Sequence, residues 1–137
     1  MILIVGGTSS GKATFARKLA AQHGWSEDDI AFNVEELLWG QTEGTGQVAS
    51  VGADAAGHAA GHAVGKALPA TPELIERLAA KAIVTCSEVG GGVVPLDREE
   101  RAWREAVGRM SCELASQADA VVRMVCGIPV VLKGELA

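Results

Sequence analysis

Between an apolar run, Ile2–Val5, and a helix-forming stretch, Ala13–Gln22, the chain places Gly6-Gly7-Thr8-Ser9-Ser10-Gly11-Lys12. Gly-x4-Gly-Lys is the spacing of a phosphate-binding P-loop. Such a run forces a strand to end in a tight turn that opens directly into a helix, which restricts the chain to α/β architectures. Glycines let backbone N–H groups close around phosphate oxygens, and the helix N-terminus adds a favourable dipole. Gly6 to Thr14 are therefore the candidate nucleotide-binding residues, with Lys12 supplying a point charge at the β/γ-phosphates. The residue after the lysine, usually Ser or Thr to hold Mg²⁺, is Ala13. The plainer reading of the segment is a glycine-rich strand-to-helix turn.

Length and charge narrow the options. The 137 residues suit one domain over 1–137. A net charge of −5 argues against general nucleic-acid binding, which needs a basic surface. Cys86, Cys112 and Cys126 are far apart and lack zinc spacing, and read as reduced, mostly buried thiols of a cytoplasmic protein. Ile2–Val5 is too short for a signal peptide, and no apolar run reaches membrane-spanning length.

Downstream, Lys12–His23 reads as a helix stopped by Gly24, and Ser26 as an N-cap with Glu27, Asp28 and Asp29 in the first turn. Val34–Trp39 reads as a further short helix. Residues of about 41–70, rich in Gly and Ala, read either as a loose Ala-rich helix or as a mobile insert, the repeated glycines favouring the latter. Thr71-Pro72-Glu73 opens another helix. Ala82–Cys86 is a second buried strand, followed by Ser87-Glu88-Val89-Gly90-Gly91-Gly92. Asp97 caps the longest helix, Arg98–Gln117, with Trp103, Val107, Met110 and Leu114 on its buried stripe and an Arg101–Glu105–Arg109 ladder outside. Ala120–Cys126 is a third strand, Gly127–Pro129 turns the chain, and Val130–Lys133 returns at the edge. The expected fold is P-loop NTPase-like: a small, mostly parallel sheet with flanking helices and a C-terminal edge hairpin. Ligands in such sheets bind beyond the carboxyl ends of the strands, so the P-loop and the Ser87–Gly92 loop should share one cleft.

The strings Thr85-Cys-Ser-Glu-Val-Gly-Gly-Gly-Val-Val-Pro95, Trp103-Arg-Glu-x-x-Gly-Arg109 and Val125-Cys-Gly-Ile128, with the final Val-Leu-Lys-Gly, resemble the bifunctional adenosylcobinamide kinase / adenosylcobinamide-phosphate guanylyltransferase family. The P-loop resembles that family's as well. The likeness extends over roughly residues 1–24 and 82–134 and is nearest to the family's short members. It implies ATP- or GTP-dependent phosphorylation of adenosylcobinamide, then GMP transfer to the phosphate, in cobalamin biosynthesis and salvage. Long members pass GMP through a histidine. Nucleotide and corrinoid are thus the implied partners and Mg²⁺ the implied cofactor. The long members are oligomeric, which makes a homo-oligomer one option. Ala13 departs from the pattern, and the acidic second strand of long members has no clear counterpart. The histidine-bearing segment does not align.

Against this background Glu88, at a strand end before a glycine loop, is a candidate to hold Mg²⁺ through water or to accept a hydroxyl proton. Gly90, Gly91 and Gly92 either admit a substrate closely or serve a turn. His58 and His62 leave three readings open: guanylylated nucleophile, weak metal pair, or no special role. Arg101, Arg104 and Arg109 are candidates to reach phosphates, and the ladder with Glu105 is the plainer reading for Arg101 and Arg109. A non-catalytic nucleotide-binding regulator or partner subunit of a cobamide-assembly enzyme is the alternative function.

Overall fold

The computed structural model describes residues 1–41 and 65–136. Strand β1, Ile2–Gly6, sits at the centre of a five-stranded sheet and leads through the P-loop into helix α1, Lys12–His23. Two 3₁₀ turns, Glu27–Asp29 and Val34–Leu38, flank the two-residue strand β2, Ile30–Ala31. A small antiparallel pair follows, β3 at Trp39–Gln41 and β4 at Gly65–Ala67. Then come α2 (Pro72–Ala79), β5 (Ile83–Ser87), α3 (Arg98–Gln117), β6 (Ala120–Val125) and β7 (Ile128–Lys133). The order across the sheet is β2-β5-β1-β6-β7. All pairings are parallel except β6–β7, which is an antiparallel hairpin.

The strand sequences explain this order. β1 and β5 are apolar on both faces, which suits central strands covered by helices on each side. On one face α1 brings Ala16, Leu19 and Ala20 against Ile4, Ile83, Val122 and Met124. On the other, α2 and α3 bring Ile75, Leu78, Val107, Met110 and Leu114 against Leu3, Val84 and Val121. Caps mark the helix starts as the sequence suggests. Thr71 Oγ1 accepts the Leu74 N–H at 3.3 Å, and Asp97 Oδ1 accepts the Glu100 N–H at 2.8 Å.

Several expectations need correction. The acidic run after Ser26 makes only a 3₁₀ turn, because Ile30 is drawn into the sheet beside Ile83. Strand β2 was not anticipated, since two residues carry no periodicity. Most of the expected insert, 42–64, lies outside the described residues, and at its end Gly65–Ala67 forms a strand whose Ala67 N–H donates to Glu99 at 3.0 Å. The final turn is Cys126–Gly127 rather than Gly127–Pro129, so β7 starts at Ile128. Cys86 is buried, but Cys112 and Cys126 are exposed. No helix among the described residues is long and apolar enough to cross a membrane.

Candidate functional site

The P-loop emerges between β5 and β6, since Gly6 pairs with Ser87 on one side and Met124 on the other. A Cβ on Gly6 would lie 2.8 Å from the Met124 carbonyl oxygen, so only glycine lets the turn begin so deep in the sheet. Ser9 and Gly11 adopt positive φ, 55° and 91°, and curl the backbone before α1 starts. Gly11 caps α1 without a side-chain hydrogen bond, and the first turn holds no acid. A helix start left without a side-chain cap or an acid has the electrostatics that favour an anion. Ser10 Oγ is buried with no hydrogen-bond partner, an unused hydroxyl inside the loop.

Lys12 is only 6% exposed. Its Nζ donates to the carbonyl oxygens of Gly7 at 2.8 Å and Gly6 at 3.2 Å. Burial lowers its pKa, and the negative charges of Glu35 and Glu88 oppose that effect.

Glu35 is the residue that sequence reasoning missed. It is 5% exposed and accepts the Ser87 N–H at 3.0 Å. Its backbone is pinned as well. Buried Thr85 accepts the Asn33 N–H at 2.9 Å, and the Trp103 indole donates to the Glu35 carbonyl at 2.9 Å. Asn33 takes the left-handed conformation, φ 49°, and so turns the chain from β2 towards the end of β5. A buried acid therefore stands at the carboxyl ends of β2 and β5 and acts electrostatically on Lys12.

The expected convergence of the two loops is present. The Glu88 N–H donates to the Gly6 carbonyl at 3.0 Å. Glu88 also forms a two-point ion pair with Arg123 of β6, at 2.8 and 3.0 Å, which spans β1. Arg123 is the lone charge in Ala120–Val125, an anomaly in an apolar strand that marks it in the sequence.

Arg104 does not point at the P-loop. Its guanidinium donates to the carbonyls of Val89, Gly91 (2.5 Å) and Val93 (2.9 Å), clasping the glycine loop. Arg101 donates to the carbonyls of Pro95 and Leu96, so of the expected ladder only the Arg109–Glu105 pair is made. Gly92 alone of the three glycines has positive φ, 85°, while an added Cβ at Gly90 or Gly91 would meet open space. His58 and His62 lie outside the described residues.

The model of the cobinamide kinase / cobinamide phosphate guanyltransferase family matches residues 28–132, well over half of the chain. The chain belongs to this family. The match takes in Glu35, the Glu88 loop and Arg123, and begins downstream of the P-loop. The bifunctional adenosylcobalamin biosynthesis protein CobU of Salmonella typhimurium is 41% identical over 58 residues, 42% of this chain and 32% of that protein. Its Escherichia coli counterpart is 40% identical over 58 residues, with the same coverage. The matched stretch spans about a third of these curated relatives.

Whether the site suits Mg²⁺ can be judged from its donors. Ala13 offers none, Glu35 is engaged by the Ser87 N–H and Glu88 by Arg123. Among the described residues no three His, Cys, Asp or Glu side chains cluster to hold a metal. This set fits an ion carried in by nucleotide phosphates, which retains most of its waters, with Glu35 and Glu88 as the nearby carboxylates. It does not fit a site for the free ion.

Proposed function

We propose that the protein phosphorylates the hydroxyl of adenosylcobinamide with GTP or ATP and transfers GMP to the resulting phosphate, in cobalamin assembly. Family membership supports the reaction class. The observation that carries the assignment of residues is the hydrogen bond from the Glu88 N–H to Gly6 O, which ties the acidic loop to the phosphate-binding loop.

In this reading the P-loop amides and the α1 N-terminus hold the β- and γ-phosphates. Phosphate oxygens are stronger acceptors for an ammonium group than neutral carbonyls, so Lys12 transfers its hydrogen bonds from Gly6 and Gly7 to the nucleotide. A phosphate-borne Mg²⁺ would neutralise charge on the transferring group. The acceptor hydroxyl oxygen attacks the γ-phosphorus, the bond to the bridging oxygen breaks, and the hydroxyl proton passes to Glu88. Arg123 holds the Glu88 carboxylate in place, and Glu35 fixes the preceding residue through the Ser87 N–H. Guanylyl transfer through His58 or His62 belongs to the same proposal and rests on the family likeness alone.

The test is incubation with adenosylcobinamide, GTP and Mg²⁺, followed by mass analysis of the corrinoid. Gain of one phosphate marks the kinase step, and gain of GMP on that phosphate marks the second. An unchanged corrinoid with intact nucleotide binding refutes the proposal. That outcome would favour a non-catalytic nucleotide-binding subunit, a reading supported by Ala13 and by the engagement of Glu88 with Arg123.

A further inference from the structure

The β6–β7 turn is built against the P-loop, and nothing in the phosphoryl-transfer scheme uses it. Cys126 and Gly127 both have positive φ, 51° and 80°, and join Val125 to Ile128 as a two-residue hairpin turn of the type favoured by strand twist. The Gly127 N–H donates to the Ser10 carbonyl at 3.1 Å. A Cβ added to Gly11 would sit 3.4 Å from Gly127 Cα. The turn is therefore one wall of the phosphate cradle, and the end of β5 is the opposite wall.

The two walls differ chemically. The β5 wall carries Glu35, Ser87 and Glu88, the last paired with Arg123. The turn Val125-Cys126-Gly127-Ile128 carries no acidic or basic side chain. Its Val125 and Ile128 are 46% and 64% exposed, and cross-strand pairing sets them side by side on one face. A nucleotide has the same asymmetry: a polyanion needing N–H groups and cations, and a flat neutral ring needing apolar contact. We infer that the Val125–Ile128 turn is the base-side subsite, over which the purine ring lies when the P-loop holds the phosphates. The inference rests on the nucleotide-binding part of the proposed function and not on turnover.

The cysteines supply the assay. Cys126 is exposed in the turn, Cys112 is exposed on α3, and Cys86 is buried. Alkylation rates at each are read by peptide mass spectrometry with GTP, ATP or inorganic tripolyphosphate, at occupancies matched by calorimetry. At about ten times the Kd, occupancy limits protection to about tenfold. The expected result is protection of Cys126 approaching that limit with GTP or ATP, little with tripolyphosphate, and no change at Cys112. In parallel, Ile128→Ser, a neutral change at an exposed position that removes only apolar surface, should weaken nucleotide binding while leaving tripolyphosphate binding unchanged. Equal protection by tripolyphosphate would overturn the inference, as would full Cys126 reactivity in a nucleotide-saturated protein. Absence of any nucleotide binding would remove both the inference and the P-loop reading, and calorimetry alone distinguishes that case.

Discussion

Removing the carboxylate of Glu35 tests the structural reading most directly. In Glu35→Ala the Ser87 N–H loses its acceptor, an unmade bond at a part-buried site that costs about 1–3 kcal/mol. Truncating a buried side chain adds a cavity term, bringing the total to about 2–4 kcal/mol. Lys12 keeps its two carbonyl acceptors in this variant, so its ammonium group is not left unpaired. Glu35→Gln retains an oxygen for the Ser87 N–H and deletes only the charge, so its cost should be about 1 kcal/mol. Urea unfolding separates the two variants: Glu35→Ala should lower the midpoint by about 1–2 M, and Glu35→Gln by well under half of that. Nucleotide titration then reports on Lys12. Without the opposing charge, burial lowers the lysine's pKa further, and GTP affinity in Glu35→Gln should fall more steeply above neutral pH than in the wild type. Wild-type stability in Glu35→Ala, or equal losses in both variants, would show that the Ser87 contact does not hold the loop end in place.

The other expectations concern single positions. Lys12→Ala should weaken GTP and ATP binding by about 1.5–3 kcal/mol, and unchanged calorimetric affinity would remove the P-loop assignment. Ala13→Ser should restore the missing hydroxyl and tighten Mg²⁺-dependent nucleotide binding; a titration with no change would place the ion elsewhere. Glu88→Gln should lower turnover by about 10²-fold. Its pair with Arg123 is partly exposed, so stability should change by less than about 1 kcal/mol, and full activity would exclude the catalytic role. Burial pushes the Cys86 thiol from its ordinary 9.0 up to about 12. Between those values the unfolded thiol ionises while the native one keeps its proton, so this group's contribution to stability is complete below the window and is lost as pH rises through it. The slope is at most about 1.4 kcal/mol per pH unit. Lys12, with its lowered pKa, acts in the opposite sense at alkaline pH. The difference in pH slope between wild type and Cys86→Ala isolates the thiol, and identical slopes would contradict its burial.

The features legible in the sequence are those whose causes lie within a few residues. The P-loop was visible because its turn needs glycine at fixed spacing between a strand and a helix, and Gly6 and Gly11 adopt the positive φ that this demands. The start of α3 was visible because Asp97 and Glu100 are one turn apart, and its buried face because Trp103, Val107, Met110 and Leu114 recur at helical spacing. The opposition of the P-loop and the Glu88 loop followed from a rule of parallel sheets. Other features depended on residues distant in the chain. Glu35 and Glu36 are indistinguishable in sequence, yet only Glu35 is buried, because Thr85 and Trp103 fix the backbone that aims it inward and the Ser87 N–H holds its carboxylate there. Arg101 satisfied a local charge-ladder pattern, but loop carbonyls claimed it, as they did Arg104. The exposure of Cys126, and the packing of its turn on the P-loop, came from β6 lying next to β1. Sequence alone determined which segment forms the glycine turn and helix start proposed to grip a phosphate, because backbone conformation and helix termini are local physics. Tertiary structure decided which acid, which arginine and which apolar turn surround that grip, because strand order sets those neighbours across the sheet.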